Sequence, residues 1–181
     1  MGTVTADTTL EELAALVSQA LEGAGVVGTL SGGGAVALYS DNEYLSCDLD
    51  FVSSARLAAI RDAIGPLGFR RVAGARQFEH PETPYYVEFP PGPLAFGDTA
   101  FSDDEAAVLQ TVYGPVRIVT PIQILMDRLA AYVHWKDNQS FDQAVMVARR
   151  QSVDWRALYE WARRDGIADS VIDKLRGQVG D

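Results

Sequence analysis

The hydrophobic pattern of this chain changes character at Thr120, and that change constrains the fold more than any other feature. Before it, alternating segments typical of strands are mixed with helical patterns. Pro121 stands where a helix would begin, a position that tolerates proline, and the periodicity after it is helical throughout. The sequence therefore predicts an α+β fold with two parts: a mixed α/β core over residues 1–119, and a helical C-terminal region over 120–181 that packs on the core.

Apolar spacing also predicts the individual elements. A first helix is capped by Thr8 or Thr9, and the segment Ser31–Gly34 is expected to separate a short strand from a helix that resumes at Ala35. The polar segment 97–105 is expected to be a surface loop. Strands are predicted near 26–30, 47–52, 69–72, 76–79, 85–89, 108–113 and 116–119, the last two joined by a tight turn at Gly114-Pro115. Helices are predicted near 55–67, 121–135, 140–151, 154–165 and 168–177, with Ser152 and Asp154 as caps.

Composition excludes several classes of function. The net charge of −10 repels phosphate backbones, which argues against a histone-like or polycationic role, although a local basic groove stays possible. A single cysteine, Cys47, excludes an internal disulfide and fits a reducing compartment. Neither a signal peptide nor an apolar run of the ~20 residues needed for a membrane span is evident, so a cytoplasmic protein without membrane contact is expected.

The glycine-rich segment Ser31-Gly32-Gly33-Gly34 is the first candidate for chemistry. Backbone amides at a strand-to-helix turn point outward together and favour an anion such as a triphosphate. Glycine allows close approach because a side chain would hold the phosphate away from the backbone. A tight connection with no ligand explains the same residues equally well.

An acidic alternation over Cys47–Phe51 is the second candidate. Residues two apart on a strand point to the same side, so Asp48 and Asp50 project together while Cys47, Leu49 and Phe51 face the core. Two such carboxylates repel unless a cation lies between them, and Mg²⁺ or Mn²⁺ accepts oxygen ligands. Glu88 has the same phase on its own strand and becomes a third carboxylate if the two strands are neighbours. An acidic but metal-free strand face is the alternative.

The run from Leu30 to Tyr39 followed by Asp48-Leu49-Asp50-Phe51 resembles the nucleotidyltransferase superfamily of the DNA polymerase beta type. Within it, the toxin-like nucleotidyltransferases of abortive-infection systems, bacterial toxin–antitoxin pairs, are the most similar. The resemblance implies a mixed sheet flanked by helices, with a C-terminal helical bundle after it. It also implies Asp48, Asp50 and Glu88 as catalytic metal ligands and the glycine turn against the triphosphate.

Two departures from the toxin-like pattern lie in the helical region. Arg128 stands where those relatives usually carry a lysine, so phosphate binding is kept but any acid–base duty is lost. Of a later Arg-Asp-x-x-Asp-like stretch, only Asp142 remains.

Other notable side chains are interpreted mainly as structural. His80 and His134 lack the partner spacing of a zinc site. Cys47 and the three tryptophans, Trp135, Trp155 and Trp161, are expected in the core or at helix contacts. The basic cluster of Arg70, Arg71 and Arg76 is either a solvated strand face or a contact for nucleotide or RNA.

The sequence predicts Mg²⁺-dependent transfer of a nucleoside monophosphate from a nucleoside triphosphate to an acceptor hydroxyl of RNA, a protein or a small molecule. A non-catalytic regulatory module, antitoxin-like and binding nucleotide or a partner protein, is the alternative. A third hypothesis is an interaction domain whose acidic strand binds no metal.

Overall fold

The computed structural model describes residues 2–180, so Met1 and Asp181, the outermost residues of the two predicted parts, lie outside it. Within that range the strands form a mixed seven-stranded sheet and a separate two-stranded hairpin. The strands are β1 (Thr29–Ser31), β2 (Asp48–Val52), β3 (Arg70–Arg71), β4 (Gln77–Glu79), β5 (Tyr86–Glu88), β6 (Leu94–Phe96), β7 (Thr99–Phe101), β8 (Ala107–Thr111) and β9 (Gly114–Ile118). The large sheet has the order β3-β4-β5-β2-β1-β9-β8, and β6 pairs with β7.

Helices flank the sheet and continue the chain after Thr120, which confirms the predicted α+β class with a C-terminal helical bundle. The first helix starts as predicted, because the Thr9 side chain accepts a hydrogen bond from the amide of Glu12 at 3.2 Å. No helix within residues 2–180 has the length and apolar character needed to cross a membrane. The helices are α1 (Leu10–Gly23), α2 (Gly32–Tyr39), α3 (Leu57–Ile64), α4 (Pro121–Trp135), α5 (Asn138–Arg150), α6 (Trp155–Arg164) and α7 (Asp169–Val179).

Strand β2 lies at the centre of the large sheet. It pairs antiparallel with β1 and parallel with β5. Leu49 and Phe51 are fully buried on one side of β2, where α2 packs so closely that a Cβ on Gly34 would lie 2.9 Å from a methyl carbon of Leu49. The opposite side of β2 therefore stays available for a site.

The segment from 97 to 105 lies at the surface, as its polarity predicts, but it is not a plain loop. It contains β7, which completes a hairpin with β6, and a short 3-10 helix over Asp103–Glu105. Leu94 and Phe96 of β6 are buried. A carboxylate between α6 and α7 holds this hairpin: the amide of Asp98 donates to Asp165 at 2.7 Å. A contact across 67 residues has no local signature, which is why the composition did not predict the hairpin.

Four local predictions are also corrected. Helix α2 begins at Gly32 rather than Ala35, and the turn between β8 and β9 lies at 112–113 rather than at Gly114-Pro115. Cys47 is exposed, because β2 starts only at Asp48 and the inward alternation does not extend to it. Trp135 is 79% exposed as the last residue of α4, whereas Trp161 is fully buried as predicted.

Caps explain how the helical region follows the α/β part. Thr120 and Gln123 form a capping box at the start of α4, with Pro121 in the first turn. Of the two predicted caps, Asp154 rather than Ser152 caps α6, by accepting from the amide of Ala157 at 3.0 Å. Asp137 caps α5. Through α4 and α5 the region packs against α2, next to the centre of the sheet.

Candidate active site

The register of β2 and β5 brings the predicted carboxylates to one patch of the sheet. Asp50 lies opposite Glu88, and Asp48 lies opposite Tyr86. Leu49 and Val87, which alternate with them, are fully buried, so the three carboxylates occupy the open face. The alternation predicted from the sequence is therefore present in both strands.

Asp50 carries the largest electrostatic cost of the three. Burial, followed by the negative charges of Asp48 and Glu88, raises its pKa to about 7, although Arg128 acts to lower it. A carboxylate in this environment loses its charge near neutral pH unless a cation compensates it. The open face is thus short of positive charge from the protein itself.

The patch does not amount to a complete metal cage. Within residues 2–180, no three His, Cys, Asp or Glu side chains are grouped closely enough to hold a metal ion alone. Mg²⁺ nevertheless binds through one or two carboxylates together with water and substrate phosphates. Asp48 and Asp50, on one side of a single strand, fit that requirement, whereas metal binding by Glu88 stays a prediction.

Two further side chains hold Asp48, and neither was picked out from the sequence. The Ser46 hydroxyl donates to a carboxylate oxygen of Asp48 at 2.7 Å. The charge of Asp48, together with burial and a hydrogen bond to this carboxylate, raises the pKa of the Tyr86 phenol. Ser46 precedes Asp48 by two residues, a local signal that was available, but Tyr86 reaches it only through the pairing of β2 with β5.

Gly32 is the glycine that contacts the carboxylates. Its φ of +61° is a left-handed conformation that side chains rarely adopt, and a Cβ there would lie 2.4 Å from a carboxylate oxygen of Asp50. The neighbouring Ser31 is buried and lies opposite Asp50 in the β1–β2 register. The start of α2 is therefore in direct contact with the acidic patch, which brings its free backbone amides close to any ligand bound there.

The other two glycines have packing reasons of their own. A Cβ on Gly33 would lie 2.8 Å from the Ser46 hydroxyl, which in turn holds Asp48. A Cβ on Gly34 would meet Leu49 and the backbone oxygen of Asp48. The glycine-rich segment is thus the first turn of a helix pressed against β2, with Gly32 nearest to the site.

A cavity of about 300 Å³ lies beside Asp50 and Gly32. Two adjacent residues of α4, Asp127 and Arg128, also line it, as do β6 and the proline-rich segment before β6. Burial raises the pKa of Asp127, and its pairing with Arg128 opposes that shift. Asp127 was not predicted from the sequence, because no motif distinguishes it from an ordinary helical carboxylate.

Arg128 lies where the resemblance to nucleotidyltransferases implies a phosphate-binding cation. Its Nε donates to Asp127 at 3.0 Å, and its Nη1 donates to the side-chain oxygen of Gln143 at 3.0 Å. Gln143 is buried on α5. Asp142, the residue singled out in the sequence, is exposed. Its neighbour Gln143 is therefore the residue of α5 that contacts Arg128.

Other sequence candidates lie away from this cavity. The His80 ring packs on Phe69, and His134 lies 3.2 Å from Asp165 in a neighbouring cavity. Arg71 and Arg76 donate to backbone carbonyl oxygens near their own strands, which gives both of them a structural role. Arg70, the third arginine of that cluster, is exposed on the edge strand β3.

Solved structures share this arrangement of helices and strands. An antigenic nucleotidyltransferase-like protein from Paracoccidioides brasiliensis is 15% identical, with a TM-score of 0.57 over 95% of both chains. The lincosamide antibiotic adenylyltransferase LnuA, in a lincomycin-bound structure, is 15% identical, with a TM-score of 0.53 over 77% of this chain and 96% of its own. ANT(2")-Ia in complex with adenylyl-2"-tobramycin is 14% identical, with a TM-score of 0.51 over 94% of this chain and 98% of its own.

At these identities the likeness concerns the fold. No protein-family model matches the sequence, and no match is found among curated proteins. The chain has a nucleotidyltransferase fold, as the resemblance in its sequence implies.

Proposed function

We propose that this protein transfers a nucleoside monophosphate from a nucleoside triphosphate to an acceptor hydroxyl, with Mg²⁺ or Mn²⁺ bound by Asp48 and Asp50. The observation that carries the proposal is the half-buried carboxylate of Asp50, whose charge the protein does not balance and which contacts the first turn of α2 and lines a cavity together with Arg128. Carboxylates, helix amides and an arginine around one cavity are the groups that phosphoryl-transfer chemistry requires.

Each residue has a separate task in this proposal. Asp48 and Asp50 would hold the metal, with Glu88 as a third carboxylate next to Asp50, and a metal held there would supply positive charge to offset that of the transferring phosphate. The backbone amides at Gly32–Gly34 bind phosphate oxygens, and Ser31 lies at the same cavity wall. Arg128, which also lines the cavity, binds the triphosphate through its guanidinium.

A small molecule is the acceptor that we favour over RNA or a protein side chain. The cavity beside Asp50 is small and rimmed by β6, and the net charge of −10 opposes a polyanionic acceptor. LnuA is a lincosamide antibiotic adenylyltransferase, and ANT(2")-Ia is an antibiotic-resistance factor. We extend the small-molecule acceptor, but no particular compound, from those proteins to this one.

A regulatory module without turnover is the second candidate function. One observation favours it: within residues 2–180 the acidic patch lacks a self-sufficient set of three metal ligands. Such a module, antitoxin-like, binds nucleotide or a partner protein at the same cavity and transfers nothing. Label transfer separates the two candidates.

The test incubates each labelled nucleoside triphosphate with Mg²⁺ or Mn²⁺ and with separate acceptor fractions of small molecules, RNA and protein. Asp50→Asn is compared with Asp169→Asn, a matched loss of one carboxylate on α7. We expect Asp50→Asn to lose ~10²–10³-fold in transfer, since metal stabilisation contributes several kcal/mol and each 1.36 kcal/mol is tenfold in rate. Asp169→Asn is expected to match the wild type.

Two results contradict the enzyme. Wild-type protein that binds nucleotide in calorimetry but labels no fraction points to the regulatory module. If the wild-type protein binds no nucleotide with either metal, it has the fold but not the proposed activity.

A further inference from the structure

The guanidinium of Arg128 is held by partners on two different helices. On α4, Asp127 accepts from Nε at 3.0 Å and also from Nη2. On α5, the side-chain oxygen of Gln143 accepts from Nη1 at 3.0 Å. Arg128 and Asp127 are 17% and 21% exposed, so neither is freely solvated. The orientation of the arginine is therefore set by contacts and not by solvent.

Bond counting shows what remains available for a ligand. A guanidinium carries five N–H groups. Three of them are used by Asp127 and Gln143, and one N–H each on Nη1 and Nη2 has no protein acceptor in the described part of the chain. N–H groups on both terminal nitrogens of one guanidinium can bind oxygens of the same phosphate group.

The two partners of Arg128 act differently on its charge. Asp127 is anionic and adjacent in sequence, so it attracts the whole guanidinium and competes with an incoming phosphate. Gln143 is neutral, so it fixes Nη1 without cancelling positive charge. Because Gln143 is only 4% exposed, its side chain has little freedom to leave this position.

We infer that Gln143 is a positioning residue: Asp127 holds Nε and Nη2 of Arg128, Gln143 fixes Nη1, and the two contacts together direct the free N–H groups to the triphosphate. This inference rests on the proposed function, because it assigns Arg128 a phosphate ligand. It also gives the helical region a defined part in the site, since Gln143 is supplied by α5. Without that contact Nη1 has no acceptor, and the guanidinium, held on the Asp127 side alone, loses its fixed orientation toward the cavity.

Two substitutions of Gln143 separate positioning from charge. Gln143→Met keeps the length and volume of the side chain but removes the strong acceptor. Gln143→Glu keeps an acceptor at the same place but adds a negative charge that competes with phosphate. Gln151→Met is the matched control, because Gln151 follows α5 and donates to the backbone oxygen of Tyr39 at 2.9 Å, with no contact to Arg128.

The probes are a non-hydrolysable nucleoside triphosphate and inorganic tripolyphosphate, each with Mg²⁺ and measured by calorimetry. We expect Gln143→Met to weaken both by ~10–100-fold, the range for losing a hydrogen bond to a charged group. In transfer assays the KM for the triphosphate rises, while the KM for the acceptor stays the same. Gln143→Glu is expected to weaken both probes as well, and Gln151→Met neither.

The outcomes are distinguishable from failure of the proposed function. Wild-type protein that binds neither probe overturns the proposed function, and with it the inference. If Gln143→Met binds both probes as tightly as the wild type, the inference alone is overturned. It is also overturned if Gln151→Met loses as much affinity as Gln143→Met, because an equal loss indicates a general effect on packing. If Gln143→Met does not fold, Gln143→Glu decides, and wild-type affinity for tripolyphosphate in that variant overturns the inference.

Discussion

The pKa values of carboxylates shift in opposite directions in two acidic regions of this molecule. One region is the surface of α6 and α7, and the other is the open face of the sheet at β2. On the helices, Arg163 donates to Asp169 from Nε at 3.0 Å and from Nη2 at 2.7 Å, and this hydrogen bonding lowers the pKa of Asp169. On the sheet, burial and neighbouring carboxylates raise the pKa of Asp50 to about 7. The first region is neutralised by its own arginines and the second is not.

This difference shows where the molecule needs a cation from outside. Arg128 is the positive side chain that acts on Asp50, but it is already paired with Asp127. An exposed ion pair contributes little to stability and is easily formed anywhere on a surface. A buried carboxylate with carboxylate neighbours is costly and persists only where something compensates it. The sheet face has the electrostatics of a binding site, and the helical surface does not.

The largest effect on stability is expected from replacing Gly32, compared with replacing Gly166 in the helical region. Gly32, beside Asp50, has φ +61°, and Gly166, between α6 and α7, has φ +71° with nothing within 4 Å of an added Cβ. Gly166→Ala places a side chain on left-handed backbone without any steric clash, so the free energy of unfolding is expected to fall by about 1 kcal/mol. Gly32→Ala also displaces the Asp50 carboxylate, so a loss of about 2–4 kcal/mol is expected. Urea unfolding measures both, and equal losses would break the contrast between the regions.

A smaller effect is expected from pH in the absence of metal. The pKa of Asp50 rises from 3.8 unfolded to about 7 folded, so its contribution to stability is complete below pH 3.8 and is lost as pH rises through about 7. At pH 8, Asp50→Asn is therefore expected to be more stable than wild type by ~1–3 kcal/mol, less than the full shift because the group is partly solvated. The gain should disappear near pH 4.

Asp169→Asn is the control with the opposite sign. Its pKa is lowered in the folded state, so its contribution is present above the unfolded pKa and is lost as pH falls through the folded value. This variant should gain no stability at pH 8. If Asp50→Asn is less stable than wild type at pH 8 without metal, the carboxylate is already compensated by the protein.

The smallest effect is expected from Mg²⁺ itself. A ligand at ten times its Kd stabilises the folded state by ~1.4 kcal/mol, provided that it binds only that state. Wild-type protein and Asp169→Asn should therefore melt at a higher temperature when Mg²⁺ is added at pH 8. Asp48→Asn combined with Asp50→Asn should not respond. A response to Mg²⁺ that is equal in all three proteins would place the metal outside the acidic patch.

Local pattern by itself determined several features of this protein. The period of two over Asp48–Phe51 and around Glu88 set which carboxylates share the open face, since alternation is a property of the strand backbone. The caps at Thr9 and Asp154 and the helix start at Pro121 follow from the same kind of short-range chemistry. Each of these features depends on residues only a few positions apart.

Tertiary structure decided how those pieces meet. The sequence did not determine that β5 lies beside β2, that Gly32 rather than Gly33 contacts Asp50, or that Gln143 holds Arg128. It did not predict the hairpin at Leu94–Phe101, which is held by a hydrogen bond to the distant Asp165. Strand register and inter-helix hydrogen bonds join residues far apart in the chain, and their energies arise only once the whole core has packed, so no local window contains them.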